Sequence, residues 1–117
     1  MRFLILYSRG ENWREGIILH DQPSIPEHAV YGQTNQELLM LAGPFVDGSG
    51  GAVVIDVESE QEAIEYANND PAVISGVFNY KLIAWSTVFS RYEGSKFNFD
   101  QGYLDYKHKV QRELGII

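Results

Sequence analysis

The sequence predicts a small α+β domain whose elements run β-α-β-β-α-β, followed by a helical tail. Three observations carry this reading. Runs of branched and aromatic residues alternate with two stretches that open on helix-start signatures. The two middle runs are joined by a glycine cluster, as in a hairpin. The last long apolar run follows the second helix after a short turn. The length, 117 residues, suits one domain and its own core.

Arg2 to Ser8 reads as the first strand, with aromatic and branched residues at most positions. Arg9 to Pro23 is a long polar loop, of a kind that is often functional; within it, Gly16 to His20 is expected to pair briefly as a strand. Ser24-Ile25-Pro26-Glu27 has the form of a capping box, and Pro26 is tolerated in a first helical turn. That helix should run to about Gln36, and Gly32 and Thr34 make it a weak former that packing must hold.

Leu38 to Val46 is the second strand, Asp47-Gly48-Ser49-Gly50-Gly51 the turn, and Ala52 to Val57 the third strand. Ser59-Glu60-Gln61-Glu62 repeats the capping box, and Ala63, Ile64 and Ala67 supply an apolar stripe. Asn69-Asp70-Pro71 ends that helix, because proline disfavours α conformation at the residue before it. Ala72 to Ile74 adds a further turn. Val77 to Phe89 is the last strand, with Tyr80, Leu82, Trp85, Val88 and Phe89 as packing candidates. The order is the split βαβ, or ferredoxin-like, arrangement. Its antiparallel sheet has helices on one face, and another copy of the chain is the expected cover for the other. Residues 1–90 form this domain. Residues 91–117 are an extension, with Phe97 and Phe99 as anchors in a loop and Gly102 to Leu114 as a helix.

Composition removes several function classes. The chain has no cysteine, so disulfides, thiolate ligands and a cysteine nucleophile are excluded. No apolar run approaches the about 20 residues that span a bilayer. The N-terminal apolar stretch is too short for a signal peptide, which leaves the cytoplasm as the expected location. The formal net charge is −7, with 16 acidic and 9 basic residues, a balance that repels phosphate backbones and anionic lipid. Neither nucleic acid nor membrane is an expected partner. No His-Glu-x-x-His pair, calcium loop, phosphate-cradling glycine loop or nucleophile elbow is present, so no metal or cofactor is expected.

The residues that remain for chemistry are few. His28 lies in the first turns of the first helix, and Asp70 sits before Pro71, where an aspartate caps a turn unaided. Trp13 lies in the long loop, either as a lid over a pocket or as an anchor that buries apolar area. His20 and Asp21 are adjacent in that loop and read as solvated.

Several motifs in order resemble one family. They are Asn12-Trp13, Gln22-Pro23, Glu27-His28, Ala42-Gly43-Pro44-Phe45, the Asp47–Gly51 turn, Asn69-Asp70-Pro71-Ala72-Val73, Gly76-Val77-Phe78 and Trp85. From Met1 to about Phe89 the chain resembles the YciI-like, or YCII-related, proteins. The segment from His28 to Gly43 is shorter than is usual there, and the tail is longer. The resemblance implies a ferredoxin-like fold, a homodimer related to the dimeric α/β barrels, and a His–Asp pair in a cleft, here His28 and Asp70. For most members the reaction is unknown; a few act on aromatic rings, including dehydrochlorination of a hydroxyquinol. The expected function is therefore a small-molecule enzyme using cofactor-free acid/base chemistry, with His28 moving the proton, Asp70 orienting it and Trp13 helping to exclude water. The alternative is a non-catalytic module for binding a small ligand or for oligomeric assembly.

Overall fold

The computed structural model describes residues 1–117. It divides into two compact units, residues 1–85 and 86–117.

In the first unit, strand β1 (Arg2–Arg9) lies between β3 (Gly50–Asp56) and β4 (Phe78–Trp85), and β2 (Leu39–Pro44) closes the edge in the order β2-β3-β1-β4. All three pairings are antiparallel. Helices α1 (Ile25–Thr34), α2 (Glu60–Asn68) and the single turn α3 (Pro71–Ile74) complete the β-α-β-β-α-β order. This is the ferredoxin-like topology.

Side chains alternate across a strand, and the register stacks the buried ones. Phe3, Ile5 and Tyr7 of β1 face the helices. Ile55 pairs with Phe3 and Val53 with Ile5, while Leu82 and Tyr80 of β4 lie opposite Ile5 and Tyr7. Ala63, Tyr66 and Ala67 of α2 pack onto this layer. The opposite sheet face carries Leu4, Leu6, Val54 and Ile83, all half-buried, with Leu41 and Trp85 exposed.

The two capping boxes behave differently. At α2 the Ser59 hydroxyl accepts from the Glu62 N–H at 3.2 Å, and the Glu62 carboxylate reaches back to the Glu58 N–H at 3.0 Å. At α1 the box does not form. Ser24 is left-handed at φ 68° and makes no side-chain cap, because capping needs an extended residue there. Helix α1 then runs to Thr34, and a 3₁₀ turn (Gln36–Leu38) leads into β2.

The expected strand pairing of Gly16 to His20 is replaced by a 3₁₀ turn at Leu19–Asp21. The reason is Gln22, which is 1% exposed. Its amide accepts from the Arg14 N–H at 2.9 Å and donates to the carbonyls of Arg14 and Ile17, each at 2.7 Å. Backbone groups that a ladder would have satisfied are satisfied by one side chain. The last strand is also shorter than expected. It stops at Trp85, and Trp85 and Phe89 are 48% and 69% exposed, whereas Val77 and Phe78 are the buried residues at its start.

In the second unit, β5 (Phe89–Ser90) and β6 (Gly94–Ser95) form a small ribbon, and α4 (Gln101–Glu113) is capped by Asp100, whose side chain accepts from the Tyr103 N–H. Phe99 packs against Phe89, Phe97 and Tyr103 with centroids 5.4, 6.2 and 4.9 Å apart. No helix is long and apolar enough to cross a membrane.

Candidate functional site

Asp70 stands between α2 and α3. Pro71 has no N–H, so the first donor of α3 is the Ala72 N–H, and Asp70 Oδ1 accepts it at 2.9 Å. That cap fixes the carboxylate and leaves Oδ2 facing inward. Oδ2 accepts from two side chains: the His28 ring at Nδ1, 2.6 Å away, and the Tyr7 hydroxyl, 3.3 Å away. Asp70 is fully buried, and a buried carboxylate persists only when its oxygens are bonded.

His28 lies on the second half-turn of α1, with its main-chain N–H bonded to the Ser24 carbonyl at 2.9 Å. Its ring meets Tyr7 and Phe78 edge-on, with centroids 5.3 and 5.5 Å apart. Tyr7 and Phe78 stack on each other at 5.4 Å. The side chain remains 26% exposed. With Nδ1–H donated to Asp70, the neutral imidazole keeps its lone pair on Nε2.

Beside His28 lies a cavity of about 700 Å³ between α1 and the β2-β3 hairpin. Its walls are mostly apolar, including Ile25, Ala29, Leu39, Met40 and Val53, and its polar groups include His20, Gln33, Gln36 and Tyr66. Gly50 and Gly51 also line it. A Cβ at Gly50 would collide with the Tyr7 carbonyl, so the glycine is what lets β3 lie this close to β1.

Burial first, and then the charge of Asp70, push the Tyr7 phenol far above its ordinary range. It stays a neutral donor at any working pH. The same two causes raise Tyr66, with Tyr31 adding a smaller contribution.

Trp13 does not line this cavity. It is 9% exposed, stacks on Phe78 at 6.4 Å and lies under the Arg9 guanidinium at 4.6 Å. Its loop is tied to the segment before β4: the Gly10 N–H bonds the Val77 carbonyl at 2.8 Å, the Asn12 N–H bonds the Gly76 carbonyl at 2.9 Å, and the Asn12 amide bonds the Ser75 carbonyl at 2.8 Å. Trp13 therefore reaches the site through Phe78.

The sequence reading brought His28 and Asp70 forward and left out Tyr7, Tyr66 and Phe78. Tyr7 was legible only as a buried strand residue. Tyr66 falls three residues after Ala63, on the buried stripe of α2, and that spacing was the available signal. His20, read as solvated, is exposed and stands at the cavity edge. No three His, Asp or Glu side chains gather as a metal-ligand set.

The YCII-related domain matches residues 1–86. The chain belongs to the YCII-related family. Within reach of this YCII-related chain, an uncharacterized protein of Bacillus subtilis (strain 168), YjpA, is 40% identical over 50 residues, a match that covers 43% of this chain. The chain spans 59% of the length of that relative. Among solved structures, 5-chloro-2-hydroxyhydroquinone dehydrochlorinase from Burkholderia phenoliruptrix AC1100, in complex with 2,5-dihydroxybenzoquinone, superposes with a TM-score of 0.60 at 21% identity. That alignment covers 79% of this chain and 98% of the dehydrochlorinase, and it shows a shared fold.

Proposed function

We propose that this YCII-related protein is a small-molecule enzyme that moves a proton with His28 and needs no cofactor for that step. The observation that carries the reading is the 2.6 Å contact between His28 Nδ1 and the buried Asp70 carboxylate, beside a cavity of about 700 Å³. His28 Nε2 takes a proton from a C–H or O–H of the ligand and returns it at a second atom. Asp70 sets the tautomer and stabilises the charged ring, and Tyr7 steadies Asp70. Trp13 backs Phe78 and helps keep that side of the site dry. The dehydrochlorinase named above makes an oxygenated ring the first substrate class to offer. The form we propose is a cytoplasmic homodimer joined through the open sheet face.

The test is chloride release from 5-chloro-2-hydroxyhydroquinone, run together with ligand proton exchange in D₂O followed by NMR. His28→Ala is expected to lower whichever rate is found by about 10²–10⁴-fold. Asp70→Asn should lower it as well while leaving the cavity open. A wild-type protein that neither releases chloride nor exchanges ligand protons sinks the enzyme reading.

The second reading is a non-catalytic module for ligand binding or assembly. It is favoured by the open sheet face, where Leu41 and Trp85 are 68% and 48% exposed. Ligand binding or self-association that persists unchanged in His28→Ala, with no turnover in the wild type, would select it.

A further inference from the structure

Four tyrosines sit on or against the core of the first unit, and three have spent their hydroxyls. Tyr7 donates to Asp70 Oδ2, Tyr31 to the Tyr66 carbonyl at 2.7 Å, and Tyr80 to Asn68 Oδ1 at 2.7 Å. Tyr66 is the exception. It is 5% exposed, and its contact with Tyr31 is through that tyrosine's ring, at 5.0 Å, and through its own main chain. No protein group bonds its hydroxyl, and no hydrogen bond figures among the causes that raise it.

A buried phenol O–H ordinarily finds a partner. Every fully sealed side-chain nitrogen or oxygen in this protein has one. The Tyr66 oxygen is therefore not sealed, and Tyr66 is among the residues that line the cavity beside His28. The ring itself is clamped, between Tyr31 and the sheet layer, so the hydroxyl is held in place before any ligand arrives.

We propose that the Tyr66 hydroxyl donates a hydrogen bond to an oxygen of the bound ligand, and that the ligand carries an uncharged carbonyl or hydroxyl oxygen on an apolar frame. The apolar frame follows from the walls. The uncharged oxygen follows from the surroundings: Tyr66 is buried on an apolar-walled cavity, and burial first, then the charge of Asp70, raise its phenol; both also oppose a carboxylate placed beside it. The donor and the His28 base open on one cavity, so one ligand oxygen can be gripped while a neighbouring proton is moved. This assignment deepens the acid/base reading of the site and rests on it for the second half of that statement only.

The experiment titrates the full-length protein with hydroquinone, which carries hydroxyl oxygens, and with benzene, which has none, following both by ligand-observed NMR. Tyr66→Phe should weaken hydroquinone binding at least tenfold, leave benzene binding unchanged and leave the melting temperature unchanged, because the lost hydroxyl bonds nothing in the protein. In the wild type labelled at tyrosine ¹³Cζ, the Tyr66 resonance should shift with hydroquinone and not with benzene, a readout that needs no variant. Equal hydroquinone binding by Tyr66→Phe overturns the proposal, as does a wild type that binds neither probe or benzene alone. If His28→Ala abolishes turnover and Tyr66→Phe is silent in binding, the Tyr66 assignment falls and the acid/base reading stands. If His28→Ala leaves turnover intact while Tyr66→Phe weakens hydroquinone, the reverse holds.

Discussion

At the scale of single residues, Asp70 joins three elements through one carboxylate. Its Oδ1 caps α3, and its Oδ2 holds α1 through His28 and β1 through Tyr7. Asp70→Ala removes a cap, a buried hydrogen bond to Tyr7 and a half-buried one to His28, so it is expected to cost about 3 kcal/mol in urea unfolding. A cost below about 1 kcal/mol would mean the carboxylate is kept for chemistry and not for the fold. The tyrosines give a pH prediction. Burial and Asp70 raise Tyr7 and Tyr66 above the ordinary value of 10.0. Below about pH 10 both the folded and the unfolded chain hold these protons, and stability does not respond to them. Above it the unfolded chain releases protons that the folded chain keeps, so stability falls as pH rises, by up to ~1.4 kcal/mol per pH unit for each tyrosine. Urea midpoints measured from pH 8 to 11 should drop only past that point. Tyr7→Phe should flatten the drop while costing about 0.5–1.5 kcal/mol at neutral pH for the lost bond to Asp70.

At the scale of elements, the loop between β1 and α1 is held from both sides. Gln22 satisfies three main-chain groups of residues 14 and 17. The Gly10–Asn12 segment is bonded to residues 75–77. Gln22→Ala removes all three bonds, leaves the Arg14 N–H and the Ile17 carbonyl without a protein partner, and is expected to cost about 2–4 kcal/mol. It should also speed hydrogen exchange and proteolysis between Arg14 and Asp21 before the rest of the chain responds. Unchanged exchange there would show that the 3₁₀ turn holds without the amide. Gly76 stands at φ 78°, and a Cβ on it would lie 2.6 Å from the Asn12 amide nitrogen. The Asn12 and Gly76 motifs of the sequence are thus two halves of one clasp that carries Trp13 to Phe78.

At the scale of the whole molecule, the sheet has one face under helices and one face open to association. If the homodimer forms through that face, Trp85→Lys should convert it to monomer in sedimentation equilibrium, because a charge on the face cannot be buried against its symmetry mate. A sedimentation profile unchanged by the substitution would move the interface elsewhere. The net charge of −7 adds self-repulsion that salt screens, so association should tighten as ionic strength rises.

The strand and helix order was legible because its signals are local. The apolar run Phe3-Leu4-Ile5-Leu6-Tyr7, the glycine turn at 47–51 and the Ser59–Glu62 cap each act within a few residues. The capping box at Ser24 and the short strand at Gly16 to His20 misled for the same reason. Local signals cannot register that Ser24 turns left-handed, or that the side chain of Gln22 folds back to make three bonds to the main chain of its own loop. His28 and Asp70 were legible by family motif, 42 residues apart in the chain. Phe78 fell within a family motif without a role, and Tyr7 and Tyr66 fell in none, since an aromatic on a buried stripe reads as core until its neighbours are known. The sequence by itself determined the element order, most of the buried stripe of α2, and the residue types available for chemistry. Only the tertiary structure decided that β1, α1 and the α2–α3 junction meet at one carboxylate, and that the buried Tyr66, which lines the cavity, has a hydroxyl bonded to no protein group. Local chemistry sets what each segment forms, whereas the partner of a polar atom depends on contacts between segments far apart in the chain.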